Sequence, residues 1–164
     1  LSAMEGQLAI TEVIEAANRS IAAFLDLISD FPQEALTRPK AIGEWSIKDI
    51  IIHLAIWEEE AAGAFEIWKI GIEPDWSHIE DLDKFNQESI NSRRRWSTTK
   101  AIERLKSVHS GIIENIKAVP DSEITRRGGL PRWLCTLITS HIDEHTEKVA
   151  AYKLQIAAIP ESKS

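Results

Sequence analysis

Residues 130–156 read LPRWLCTLITSHIDEHTEKVAAYKLQI, and this stretch decides the fold class. At about 100° of rotation per residue, Leu134, Leu137, Ile138, His141, His145 and Tyr152 fall within about 60° of one direction. That is the apolar stripe of an amphipathic helix. Pro131 suits its first turn, where a missing N–H costs no intrahelical bond. Two histidines stand in the middle of the stripe, one turn apart, with both imidazoles on one side. An i, i+4 pair of this kind is a common beginning of a metal site. The plainer alternative is two core histidines bonded to side chains or water, because buried imidazole nitrogens without partners cost free energy.

Outward from this helix, the same periodicity predicts three more. The segment from about residue 5 to 30 places Ile10, Val13, Ile14, Ala17, Ile21, Phe24, Leu25 and Ile28 at steps of three and four. Phe31-Pro32 ends it, since proline cannot continue the ladder. Ser46 reads as an N-cap with Asp49 three residues on, a variant of the capping box. The helix it opens runs from about Ile47 to Lys69 and stops before Gly71 and Pro74. The third helical region has a short polar part, Asp81 to about Arg93. A longer piece, capped by Ser97 or Thr98, follows and ends at Pro120. Arg126-Arg127-Gly128-Gly129 reads as a turn. With no convincing strand, helices packed on helices are the layer solution: an all-α four-helix bundle, one domain over 1–164.

Composition sets the outer limits. A chain of 164 residues with 43% apolar and 27% charged residues has the makeup of a globular domain. The net charge of −7 argues against nucleic acid as a partner, because phosphate binding needs a basic patch. Cys135 is the only cysteine, so no internal disulfide forms, which fits the cytoplasm. No apolar run approaches the roughly 20 residues of a membrane span, and no membrane partner is expected.

His53, on the second helix beside Ile50 and Trp57, lies at the edge of an apolar face that can turn toward the fourth helix. Three histidines leave coordination positions open for water or substrate, as catalytic zinc-type sites do. His109 falls about 40° from Leu105 on its own helix. It is a fourth ligand, a group behind the ligands, or a satisfied core histidine. His78 sits in a loop and receives no role. The di-iron bundle pattern, Glu-x-x-His on two helices, is absent. His141-Ile142-Asp143-Glu144-His145 lacks the glutamate that follows the first histidine in metalloproteases. Cys135 is about 120° from His141 around the helix, away from any ligand position.

Gly43-Glu44-Trp45-Ser46-Ile47-Lys48-Asp49, then His53-Leu54 and Trp57-Glu58, resembles the second-helix signature of the DinB-like (YfiT-like) metalloprotein superfamily. Asp83-Lys84-Phe85-Asn86 resembles the segment that opens the third helix of that family. His141 to His145 is similar to its fourth-helix His-x-x-x-His. The resemblance covers about residues 40 to 155 in the right order. It implies up-down-down-up topology and a divalent metal ion, zinc or nickel, on His53, His141 and His145. It also implies homodimers. Relatives of this kind include transferases and isomerases that use low-molecular-mass thiols.

Two functions follow as expectations. One is a metal-dependent enzyme, a thiol-dependent S-transferase or hydrolase acting on a small electrophile. Its catalytic residues are not legible, although Glu58 or Glu144 is placed to act as a base or to support the ligands. Arg126, Arg127 and Arg132 are placed for an anionic substrate. The other is a non-catalytic metal-binding or small-molecule-binding protective protein, for which Trp45, Trp57, Trp76 and Trp133 offer an aromatic pocket.

Overall fold

The computed structural model describes residues 9–159. Eight helices follow in order: α1 (Ile10–Ser29), α2 (Gln33–Leu36), α3 (Ile47–Lys69), α4 (Leu82–Asn91), α5 (Thr98–Ala118), α6 (Asp121–Arg126), α7 (Arg132–Ile138) and α8 (Ser140–Ala157). No strand occurs among the described residues, so the all-α reading holds. The part of the first predicted helix before Ala9 lies outside the described residues.

Side-chain pairings fix the direction of each helix. Along α3 and α5, Glu59 meets Arg104 and Glu66 meets Asn115, so both run the same way. At one end of the bundle Asp30 pairs with Lys153 and Phe31 stacks on Tyr152. At the other, Val13 lies beside Leu130 and Cys135, so α1 runs parallel to the α7–α8 segment. His53 faces His145, Trp57 faces His141 and Trp68 meets Arg127, which makes α3 antiparallel to that segment. The topology is therefore up-down-down-up.

A parallel α3–α5 pair needs a connection that travels back the length of α3, about 34 Å at 1.5 Å per residue. Residues 70–97 make that return and carry α4 with them. The Trp57 indole donates to Asn86 Oδ1 at 2.8 Å and holds α4 against α3. Lys48 Nζ donates to the carbonyls of Arg94 and Trp96, both at 3.0 Å, and so ties down the end of the return just before α5.

α3 is the central helix. Every residue from Asp49 to Ile56 is buried, because neighbours cover that half on all sides. Each fully buried isoleucine there contributes roughly 1.5–3 kcal/mol relative to exposure. The capping box is complete: Ser46 Oγ accepts from the Asp49 N–H at 3.0 Å, and Asp49 Oδ2 accepts from the Ser46 N–H at 2.9 Å. This start is set by a tight turn in which Ile42 and Trp45 exchange backbone hydrogen bonds of 2.9 and 3.1 Å. Gly43 takes φ +59° in that turn, a conformation glycine adopts at little steric cost.

The fourth helix departs from the expected single run over 130–156. It breaks at Thr139, at φ −129° and ψ −87°, into α7 and α8. Thr139 Oγ1 donates back to the Cys135 carbonyl and Ser140 Oγ to the Thr136 carbonyl, bonds that bend helices. The buried row is Leu134, Ile138, Ile142, His145, Val149 and Tyr152, turned roughly 50° from the expected stripe. His145 belongs to it, whereas His141 stands at its rim, half-buried, rather than in its middle.

Candidate metal centre

The ligand atoms that His53, His141 and His145 offer all lie within 4.8 Å of one another. Ring centroids are 5.1 Å apart for His53 and His141, 4.7 Å for His53 and His145, and 4.9 Å for His141 and His145. α3 supplies one ring from its buried half, and α8 supplies two from successive turns directly after the Thr139 break. His53 is more enclosed than its sequence position suggests, at 4% exposure. Trp45 covers the triangle on one side, 4.9 Å from His53 and 6.5 Å from His145. Trp57 closes another, 6.2 Å from His141.

Burial governs the charge of these rings. Desolvation lowers the pKa of His53 to about 2, with His145 and His141 adding repulsion. It lowers His145 to about 4, again with repulsion from His141, and lowers His141 as well. All three are therefore neutral at pH 7, the form that ligates a metal. His53 Nε2 and His141 Nε2 are 3.1 Å apart. Nitrogens at 2.0–2.1 Å from a tetrahedral ion are separated by about 3.3 Å, so this spacing matches such a site. His145 Nδ1 is buried without a hydrogen-bond partner, an orphaned polar atom that coordination would account for; His141 Nδ1, on the same ring as the Nε2 that faces His53, also has none. Three buried or half-buried histidines on this geometry fit a metal ion.

A cavity of about 530 Å³ opens on the triangle. Besides the histidines it is lined by Asp83 and Asn86 from the return segment and by Glu144 and Lys148 from α8. Sequence reasoning passed over Asp83 and Asn86 as site residues. Their place follows from the parallel helix pair, which draws the return segment across the histidines.

Other expected residues separate from the site. Glu58 is fully buried, away from the triangle, and His109 Nδ1 donates to its two oxygens at 3.0 and 3.2 Å. Burial pushes the Glu58 carboxyl up, and the His109 hydrogen bond partly opposes this. His109 Nε2 faces Asn18 Oδ1 at 3.1 Å, so His109 is a satisfied core histidine and not a fourth ligand. Glu144 lies on the cavity wall, and its pairing with Lys148 at 3.2 Å holds its carboxyl below the usual range. Arg126 pairs with Glu123, and Arg127 stacks on Trp68 at 3.6 Å. Among the described residues no helix is long and apolar enough to cross a membrane.

An up-down-down-up helical bundle with a histidine triangle between α3 and α8 defines a recognised class. The sequence matches the DinB superfamily over residues 12–149, and the chain belongs to it. Among curated proteins, none matches the sequence. Two solved structures share the fold. An uncharacterised protein from Escherichia coli UTI89 superposes with a TM-score of 0.76 at 13% identity, covering 93% of this chain and 96% of its own. The colibactin self-resistance protein ClbS, in complex with double-stranded DNA, gives 0.71 at 12% identity, covering 92% and 97%. The exclusion of nucleic acid drawn from net charge is thereby overturned: a protein of this fold has been crystallised on DNA. Net charge is a sum over the chain and does not describe the field of any one face.

Proposed function

We propose that the chain binds one divalent ion, zinc or nickel, on His53, His141 and His145, and serves as a metal-dependent enzyme that directs a low-molecular-mass thiol, or water, at a small electrophile. The observation that carries this reading is the convergence of three neutral imidazoles at one end of an open cavity. An ion on three neutral ligands keeps its double charge, which lowers the pKa of a thiol or water beside it. In the thiol reaction the S–H proton passes to solvent, sulfur bonds to the electrophilic carbon, and the leaving group departs with its electron pair.

The protein's own groups have distinct tasks in this reading. Trp45 and Trp57 exclude water from two sides of the histidines. Asn86 holds Trp57 in that position. Glu144, kept ionised by Lys148, is a weak proton acceptor at pH 7 and is better suited to orienting a donor. A homodimer in the cytoplasm belongs to the same reading.

The test is consumption of thiol with a halonitroarene by zinc- or nickel-loaded protein. Product formation that disappears in His141→Ala supports the enzyme; formation unchanged by His141→Ala contradicts it. A second reading, protection by binding without turnover, is favoured by one comparison, the self-resistance protein ClbS. Binding of double-stranded DNA or of an electrophile with no product would select it.

A further inference from the structure

A second cavity, of about 550 Å³, adjoins the histidine cavity and lies within the size range of small-molecule sites. The two share Trp57, Leu82 and Leu137 as a common wall. Its remaining apolar surface comes from Trp76, Ile79 and Trp133, with Trp76 and Trp133 edge to face at 5.5 Å. Trp133 and Leu137 from α7 line the second cavity, and Leu137 with His141, just after the Thr139 break, lines the first, so the two cavities follow one another along the α7–α8 segment.

Its charged groups are Arg132 and Glu80, both exposed and of opposite sign, so the cavity carries no net charge. Neither forms an ion pair among the described residues. The Trp133 indole N–H is buried without an acceptor. Leu82, at its mouth, is 53% exposed although large and apolar. An apolar, aromatic-walled space with balanced charge favours an uncharged flat molecule, because a charged group would lose hydration without an unopposed partner.

We infer that this second cavity holds the flat, uncharged, apolar body of the small molecule whose other end faces His53, His141 and His145. The inference rests on the reading of the histidine site as the reactive end, and it assigns a substrate class: an aromatic or similarly planar apolar electrophile.

Calorimetric titration with three naphthalene probes tests it, using the purified protein with and without chelator. The probes are the carboxamide, the carboxylate and the methylammonium. The carboxamide should bind saturably and at least as tightly as either charged analogue. Trp76→Ala and, separately, Thr136→Trp, which fills the cavity from an exposed helix position, should each weaken it about tenfold or more. Lys106→Ala, at an exposed position of α5 outside both cavities, should leave its affinity within about twofold. No saturable binding, affinity unchanged in both Trp76→Ala and Thr136→Trp, or a clear preference for one charged probe overturns the inference. Because binding is read without metal, failure of the metal site alone leaves the result intact.

Discussion

Glu58 and His109 meet at 3.0 Å in the interior, a carboxylate on α3 with no exposed surface and an imidazole on the parallel α5. Removing one member strands the other in a low-dielectric setting. His109→Leu is expected to destabilise the fold by roughly 3–5 kcal/mol. The double replacement Glu58→Leu with His109→Leu should recover much of that. Chemical denaturation of the two single variants and the double variant checks this. Additive losses would show that the pair is not coupled.

Acidification should weaken the metal-free protein. His53 and His145 have pKa values lowered to about 2 and about 4, against about 6.5 in the unfolded chain. The unfolded state therefore takes up protons first as pH falls. Stability from these rings is fully present above about pH 6.5 and is lost as pH falls, down to about 4 for His145 and on toward about 2 for His53, by up to about 1.4 kcal/mol per pH unit per ring. Denaturation in chelator at pH 7.5 and 5 measures it. His145→Gln should flatten the dependence; an equal slope in that variant would contradict the burial argument.

Asn86 is the acceptor that fastens the return segment to Trp57. Asn86→Ala should cost about 1 kcal/mol of stability and leave the indole N–H without its partner. Amide exchange in α4 is expected to accelerate while the Ile50–Ile56 core of α3 stays protected. Uniform acceleration in both helices would mean that the contact supports the whole bundle and not the position of α4.

Much of the architecture was legible in the sequence, because periodicity and caps report local structure. Ser46 and Asp49 gave the start of α3, and Pro120 the end of α5. The parallel direction of α3 and α5 came only through the family resemblance, since an apolar stripe does not say which way its neighbour runs. The buried row is turned roughly 50° from the expected stripe, toward Ile142 and Val149, which leaves His141 at the cavity rim; an apolar stripe does not say which of its flanks the neighbouring helices cover. Glu58 stands in a run of three glutamates that reads as a solvated face. Its burial depends on His109, 51 residues away, which no local pattern reveals. Trp76 and Trp133 likewise become neighbours only after the return segment has crossed the bundle.

Metal binding to the histidine triangle is the central claim, and ion titration tests it most directly. Protein purified without a metal-affinity column, stripped by chelator and dialysed, is titrated with zinc and with nickel. About one ion per chain is predicted for the wild type, with binding lost in His141→Ala and in His145→Ala. Negligible uptake of both ions, or a stoichiometry unchanged when His141 and His145 are replaced together, would contradict it.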